Sequence, residues 1–397
     1  MAIGMRLDKE TIVLLALVRA GLWERPADLG DMLPLTRQEW RCVWQMARCQ
    51  TVAGLVYRGL ANLPAPLLPP DELLFRWVAE ADRIERAGNH HNRCVAELTE
   101  MFLSQGVRPV LLKGQGVACL YEYPLLREAG DIDLCFLTPQ ERAEAADILR
   151  AQGVSLQSAP DGSLSYMWRG VEVEHHAATT CLCAPKAKRY LHSLENECDF
   201  IHLPLGGNRE QTVIVPSPML TLVILNAHIL HHAIGRGVGL RQLCDMARAY
   251  HSLMGRVDAD SLIHAYEHLG LMRWSRLLHS FLVLYLGLNP SCLPMAGGDG
   301  AQSGALESPE ALLKIVLGGG NFGKHRACTS AHAASLRDGD GETDAEEALP
   351  AGGAASPWMG KLNTAAAFVM RLPFSLKYAA RETLFTMGSL ARGQWRK

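Results

Sequence analysis

The stretch Leu111–Phe136, LLKGQGVACLYEYPLLREAGDIDLCF, decides the fold prediction. It opens on an apolar run that ends in glycine, which is typical of a buried strand leading into a turn. It closes on a second strand-like run that carries Asp131 and Asp133. Residues i and i+2 of a strand point to the same face, so these two carboxylates are predicted to project together. The tripeptide alone leaves two interpretations open: a cation-binding pair, or a pair that faces solvent or caps the next helix.

The residues upstream of Asp131 and Asp133 favour the cation-binding interpretation. Hard divalent metals such as Mg²⁺ take oxygen ligands, commonly one or two carboxylates together with substrate phosphates. The turn at Lys113 and Gly114 suits such a phosphate, because glycine lets the backbone approach closely and lysine adds a positive charge. The N–H groups that open the following helix also favour an anion. We therefore expect a phosphate-binding turn beside a metal site.

Thr138 as N-cap and Pro139 at the first helical position predict a helix after this stretch. VSLQS at 154–158, LSYMWRG at 164–170 and VEVEHH at 171–176 are then predicted to be strands, and the last of them offers more acids. Its alternation places Glu172, Glu174 and His176 on one face, with the valines and His175 on the other. A third carboxylate from a neighbouring strand would complete a metal site and act as a general base toward a hydroxyl.

The order of these features resembles an uncharacterised bacterial nucleotidyltransferase family of the polymerase-β-like superfamily. The resemblance spans about 107–176, and it extends to HILHHAIGRGVGLRQLCDMA and, more weakly, to GGGNFG at 318–323. It implies transfer of a nucleotidyl group from a nucleoside triphosphate such as ATP, dependent on Mg²⁺ or Mn²⁺. The acceptor stays open among protein, small molecule, sugar and RNA.

Carried over position by position, the resemblance assigns the acids to catalysis and metal binding. Asp131 and Asp133 stand at the metal-binding pair of the superfamily. Glu174, followed by His176, matches the strand acid and nearby histidine, with Glu172 as a competing candidate. Asp131, Asp133 and Glu174 are thus the expected metal ligands and catalytic residues.

The nucleotide-binding residues that the resemblance implies include one departure. Lys113, Gly114 and Gln115 stand at the phosphate-binding turn, but Gln115 replaces the usual serine and its hydroxyl. Arg127 either contacts the triphosphate or pairs with the carboxylate of Asp133 or Glu128. The missing serine favours an alternative of a different class, a catalytically degenerate nucleotide-binding or scaffold protein of the same fold. A metal phosphohydrolase is a third interpretation, disfavoured because its usual histidine-rich ligand set is absent from the sequence.

Other polar clusters have two interpretations each. His228, His231 and His232 share one helical face, followed by Arg241 and Asp245; they indicate either a zinc site or polar groups lining the cleft. The basic segment PKAKRY at 185–190 is predicted to be an exposed turn or an electropositive lip of the site.

The predicted fold class is α+β, with a nucleotidyltransferase-type mixed α/β core between N-terminal helices and a C-terminal helical bundle. The boundaries between regions are predicted from changes in the spacing of the hydrophobic residues, from the proline-rich segment LPAPLLPP and from a segment rich in Gly, Ala and acidic residues. The predicted regions are N-terminal helices at 1–70, the core with its long leading helix at 71–215, the bundle at 216–328, a disordered linker at 329–357 and a basic helical tail at 358–397.

The composition of the chain bears on its partners and on its cellular location. The 397 residues carry a net charge of −2, which disfavours a protein that coats long nucleic acid. The 11 cysteines form no CxxC motif and indicate a reducing compartment, so the cytoplasm is the expected location. The basic tail has two interpretations, a peripheral contact with membranes or a partner protein, or packing onto the bundle.

Overall fold

The computed structural model of the chain describes residues 7–205, 208–235, 237–294, 307–319 and 357–391; for 208–211, 319, 357–367 and 391 it describes the backbone alone. The described residues form thirteen α-helices and a seven-stranded mixed sheet, which confirms the α+β class. The predicted linker, apart from its last residue, lies outside the described residues, and the division into regions stays a prediction.

Four helices precede the sheet, and the last of them is 34 residues long. Their starts follow local signals: Asp8 and Thr36 cap the first two helices, and Thr36 forms a capping box with Glu39. The helices are α1 (Lys9–Trp23), α2 (Arg37–Cys49), α3 (Ala53–Ala61) and α4 (Asp71–Ser104).

The sheet has the order β3-β4-β5-β2-β1-β7-β6, with β2–β5 and β1–β7 parallel and the other pairs antiparallel. Helices α5 (Gln115–Ala118), α6 (Pro139–Ala151) and α7 (Pro185–Glu197) connect its strands. The strands are β1 (Val110–Leu111), β2 (Ile132–Cys135), β3 (Gln157–Ser158), β4 (Leu164–Trp168), β5 (Val171–His176), β6 (Phe200–Leu205) and β7 (Asn208–Pro216).

Strands β1 to β5 and helix α6 confirm the sequence prediction, including Thr138 as N-cap and Pro139 at the first helical position. Two features differ from it. The hairpin β6–β7 was not predicted, although β7 pairs directly with β1. The segment 185–190 is the start of α7 rather than a turn, because Pro185 opens the helix and Ala187 and Leu191 are buried beneath it.

Alternate residues of β2 and β5 separate the two faces of the sheet. Ile132, Leu134 and Val173 are buried in a core that includes side chains of α4 and α6. The opposite face carries Asp133 and Glu174. The polar side chains therefore lie on the face that does not pack on α4 and α6.

Six helices complete the chain on that polar side of the sheet. A larger core joins most of them to α1, α2 and α3, so the N-terminal and C-terminal helices share one hydrophobic interior. These helices are α8 (Pro218–Ile234), α9 (Leu240–Leu253), α10 (Ala259–Leu269), α11 (Met272–Leu286), α12 (Glu310–Gly319) and α13 (Pro357–Ala391).

The tail helix α13 packs on the bundle. The Phe374 ring lies edge-on to Trp274, with centroids 6.4 Å apart. The buried carboxylate of Glu382 accepts hydrogen bonds from the backbone N–H groups of Cys183 and Ala184, at the start of α7. The described part of this helix thus follows the packing interpretation of the tail. No helix among the described residues has the length and hydrophobicity to cross a bilayer.

Candidate functional site

Asp133 is at the centre of the site and is 1% exposed. Its Oδ1 accepts hydrogen bonds from Lys113 Nζ at 2.8 Å and from His176 Nε2 at 2.5 Å. Burial opposes ionisation of this carboxyl, but the Lys113 charge and the His176 hydrogen bond outweigh it and lower the pKa of Asp133. Burial likewise opposes the Lys113 charge, yet Asp133 and Asp131 raise the pKa of that amine. Both groups are therefore charged at neutral pH.

Strand register sets Glu174 beside Asp133. The two residues are Cα partners in the parallel pair β2–β5, and His176 lies two residues further along the same face. One ligand atom from each of Asp133, Glu174 and His176 lies within 4.8 Å of the others, the sole such group of three or more among the described residues. Two carboxylates and an imidazole are a donor set that suits a divalent cation.

Glu172, the competing candidate for the third acid, is placed further from Asp133 in the register. It is exposed and pairs across β4–β5 with Met167. The face prediction for this strand is confirmed, since Val171, Val173 and His175 are buried on the other side. The geometry favours Glu174 over Glu172 as the acid next to Asp133.

A narrow cleft lies between this sheet face and the helices α8 and α9. Asp131, half-buried just before β2, lines the cleft together with Lys113 and Gly114, although it does not belong to the group of three ligands. His228 and Arg241 line the opposite side. The cavity volume is about 30 Å³, room for about two water molecules, so a nucleotide would have to bind across its mouth.

The turn at Gly114 needs glycine for its backbone angles. Gly114 has φ 65° and ψ −116° as it opens α5, a combination that residues with a Cβ rarely adopt. Space is not the reason, because a Cβ at this position would meet only the Asp131 carbonyl oxygen, at 3.5 Å. The turn brings the backbone of Gly114 to the edge of the cleft.

Gln115 does not line the cleft; its side chain reaches α4. Its Nε2 donates to Asn92 Oδ1 at 2.5 Å and to the carbonyl oxygen of Gly88 at 3.3 Å. The residue is 5% exposed. In the structure it joins α5 to the long helix, and its role in nucleotide binding stays a prediction.

Arg127 lines the cleft with its guanidinium held by a carboxylate 118 residues away. Its Nε and Nη2 donate to Asp245 Oδ1 and Oδ2, at 2.7 and 2.8 Å, and the Tyr121 hydroxyl also donates to Oδ1 at 2.7 Å. All three side chains are buried. The structure gives Arg127 a carboxylate partner, but this partner is Asp245 and not Asp133 or Glu128 as predicted; a triphosphate contact stays a prediction.

A family model described as an uncharacterised nucleotidyltransferase matches residues 36–287, more than half of the chain. The chain belongs to this nucleotidyltransferase family. Comparison with curated proteins and with solved structures gives no match.

The family match contains the whole candidate site. It runs from α2 to the end of α11 and so includes Lys113, Asp133, Glu174 and Asp245. The segment GGGNFG at 318–323 lies beyond the match, and its last four residues lie outside the described residues. The matched region therefore includes the sheet and the part of the bundle that form the cleft.

Two residues of the cleft come from the first turn of α9. Arg241 was noted in the sequence as a polar group near the cleft, whereas Gln242 was missed. Burial, together with the neighbouring Arg127 charge, lowers the pKa of Arg241, but a guanidinium stays charged at any ordinary pH. The signal for Gln242 was its position three residues after Gly239, where a glutamine side chain can cap the helix start.

The histidines of α8 form no metal group among the described residues. His228 lines the cleft, and its ring lies 4.3 Å from that of His232, centroid to centroid. Burial and the Lys113 charge lower the pKa of His228 well below its usual value, so the imidazole is neutral. The structure thus favours the cleft-lining interpretation for His228 over the zinc site.

Proposed function

We propose that this protein transfers a nucleotidyl group from a nucleoside triphosphate to an acceptor hydroxyl or phosphate, with Mg²⁺ or Mn²⁺ as cofactor. The observation that carries the proposal is the group formed by Asp133, Glu174 and His176, beside a glycine turn and a lysine. Membership in a nucleotidyltransferase family supports the reaction class. Membership in the polymerase-β-like superfamily, a bacterial origin and a cytoplasmic location are parts of the same proposal.

The acids would hold the metal. Asp133 and Asp131 are the proposed ligands from β2 and its approach, and Glu174 completes the set from β5. A divalent ion bound there would neutralise charge on the phosphates and orient them. His176 donates to Asp133 in the structure, so it either orients that carboxylate or adds a nitrogen ligand, which would favour Mn²⁺ over Mg²⁺.

The chain's own residues would do the remaining work by positioning and charge. Lys113 and the backbone at Gly114 would hold phosphate oxygens, with Gln115 fixing the turn against α4 and Arg127 as a second cation at the cleft. Glu174 is partly exposed, 31% for its side chain, and would accept the proton of the acceptor hydroxyl. Such catalysis depends on orientation and on electrostatic stabilisation of the transferring phosphate.

A second candidate function, nucleotide binding without turnover, has one structural observation in its favour. Lys113 Nζ and His176 Nε2 both contact Asp133 Oδ1, so one oxygen of this carboxylate already has two partners. These partners would compete with a metal for that oxygen. The two candidates differ in a measurable product, because only transfer releases pyrophosphate.

Label transfer tests the proposal. The full chain is incubated with each nucleoside triphosphate labelled at the α-phosphate, Mg²⁺ or Mn²⁺, and a cell extract that supplies acceptors. We expect a labelled acceptor and an equal amount of pyrophosphate, both lost with Asp133→Asn and retained with Glu172→Gln. Nucleotide binding without label or pyrophosphate would select the second candidate.

A further inference from the structure

The first turn of α9 carries two buried donor groups that have no acceptor in the structure. Arg241 and Gln242 are 7% and 5% exposed, and both line the cleft. Arg241 Nε and Gln242 Nε2 have no hydrogen-bond partner among the described residues. An unsatisfied buried donor costs about 1–3 kcal/mol, and two such donors on consecutive residues that line one cleft point to a ligand that accepts from both.

The positively charged side chains that line the cleft differ in whether a carboxylate neutralises them. Lys113 is bound to Asp133, and Arg127 is bound through two hydrogen bonds to Asp245. Arg241 has no carboxylate within 4.0 Å among the described residues; its Nη1 donates to the carbonyl oxygen of Glu128 at 2.9 Å. The charge of Arg241 is thus the one that an incoming anion would neutralise.

The amide of Gln242 is held in one orientation by the helix start. Its Oε1 accepts a hydrogen bond from the Gly239 backbone N–H at 2.7 Å, which leaves Nε2 as the group without a partner. The next N–H of the turn, that of Leu240, already donates to Gln50 Oε1 at 3.0 Å. Two side chains on consecutive residues therefore present fixed donors at the positive end of a 14-residue helix.

We propose that this turn is a phosphate subsite that holds the leaving pyrophosphate portion of the donor nucleotide. Terminal oxygens of that portion accept from Arg241 Nε and Gln242 Nε2, across the cleft from the acids of β2 and β5, while the rest of the nucleotide lies across the mouth of the narrow cleft. Phosphate fits better than a carboxylate because its oxygens are more numerous and more charged, and the arginine fork and a helix N-terminus both recognise it. The identity of the ligand as part of a triphosphate rests on the proposed function; the binding of a phosphate anion does not.

In the transfer, the acceptor oxygen forms a bond to the α-phosphorus while the bond from that phosphorus to the bridging oxygen breaks. The electron pair of the broken bond stays on pyrophosphate, and the acceptor proton goes to Glu174. Negative charge therefore grows on the group that Arg241 and Gln242 hold, and their hydrogen bonds strengthen as the bond breaks.

Titration calorimetry with inorganic pyrophosphate tests the subsite, first with a chelator and then with Mg²⁺. Gln242→Glu keeps an acceptor for the Gly239 N–H and replaces the donor by a carboxylate, so the helix cap survives while the subsite is lost. Arg241→Met removes the unpaired charge. The matched control is Arg256→Met, which removes an exposed positive charge just beyond the other end of the same helix.

We expect Arg241→Met and Gln242→Glu each to weaken pyrophosphate binding by about tenfold or more, and Arg256→Met to leave it within about twofold. Thermal unfolding checks that both variants are folded. If Arg241→Met is not folded, Gln242→Glu alone tests the subsite. Unchanged affinity in both variants overturns the subsite, as does a wild-type protein that does not bind pyrophosphate.

The subsite and the proposed function fail in different ways. Pyrophosphate binding that both substitutions abolish, in a protein that never labels an acceptor, supports the subsite and rejects the transfer. Label transfer whose KM for the triphosphate is the same in wild type and Gln242→Glu supports the transfer and rejects the subsite.

Discussion

Asp133 and Glu174 are Cα partners on the parallel strands β2 and β5, and their side chains lie on the one sheet face that turns toward α8 and α9. This register brings together two carboxylates that are 41 positions apart in the chain. Lys113 and His176 then surround the buried one. The site thus combines high charge with near-complete burial, and its charges are coupled to stability as well as to chemistry.

The substitution Asp133→Asn is expected to abolish transfer and to destabilise the fold. Lys113 would be left nearly buried without its carboxylate, a loss of about 2–4 kcal/mol in the free energy of unfolding. Urea denaturation of wild type and variant measures this difference in the free energy of unfolding. Adding Lys113→Met should restore stability without restoring transfer, because the unpaired charge is removed but the metal ligand is still missing. If Asp133→Asn alone were as stable as wild type, the charge of Asp133 would not be coupled to the stability of the fold.

The Arg127–Asp245 pair is expected to be a structural element of the cleft. Asp245→Asn leaves a buried guanidinium with a weakened partner and should cost about 2–4 kcal/mol, whereas Tyr121→Phe removes one hydrogen bond and should cost about 1 kcal/mol. A double-mutant cycle with Arg127→Met, followed by urea denaturation, should give a coupling energy above about 1.5 kcal/mol.

The exposed pair Asp147–Arg150 on α6 serves as the control for that cycle, since its two side chains are 76% and 60% exposed. Its coupling energy should lie below about 0.5 kcal/mol. Equal coupling in the two pairs would show that burial does not strengthen the cleft pair.

Local signals in the sequence were sufficient for part of the fold and site. The glycine after β1, the alternation in β5 and the Thr138 cap each act within a few residues, and the structure agrees at all three. Pairings across long separations were not readable: β7 joins β1 about 100 residues later, and Asp245 finds Arg127 only through the packing of α9. The same limit explains why Arg127 had two interpretations and why Gln242 was missed.

Replacing Gln115 by serine, the residue that the resemblance implies for this turn, is expected to give no gain in nucleotide binding. The side chain of Gln115 is directed at Asn92 and Gly88 on α4, so a serine hydroxyl at the same Cβ would also lie away from the cleft. Gln115→Ser should lower the free energy of unfolding by about 1–2 kcal/mol through the lost hydrogen bonds. Calorimetry with triphosphate and Mg²⁺ should show affinity within about twofold of wild type, and a large increase would contradict this geometry.

A methyl group at position 130 is expected to disturb the phosphate subsite from the other side. The Cβ of Gly130→Ala would lie 3.3 Å from Arg241 Nη1 and 3.4 Å from Nη2, close enough to displace the guanidinium slightly. Pyrophosphate affinity should fall about threefold or more, with stability changed by less than about 1 kcal/mol because position 130 is exposed. Gly255→Ala is the control, since nothing lies within 4 Å of its added methyl group.

Glu128 is expected to make stability depend on pH. Burial raises the pKa of this carboxyl to about 7, although the Ala53 N–H and the Arg241 and Arg83 charges act in the opposite direction, and Glu80 adds to the rise. The folded state therefore binds a proton more tightly than the unfolded state, whose pKa is near 4.5. Stability is then lost as the pH rises from about 4.5 through about 7, by about 3 kcal/mol for this group over the whole range.

Glu128→Gln isolates that dependence, because the amide oxygen still accepts from the Ala53 N–H, which lies 2.8 Å from Glu128 Oε1 at the start of α3. Urea denaturation of wild type and variant at pH 5 and pH 8 gives the difference in unfolding free energy, from which the other titrating groups largely cancel. The variant should gain about 2 kcal/mol relative to wild type between the two pH values. A difference independent of pH would mean that Glu128 has the same pKa folded and unfolded, and that the neighbouring charges offset its burial.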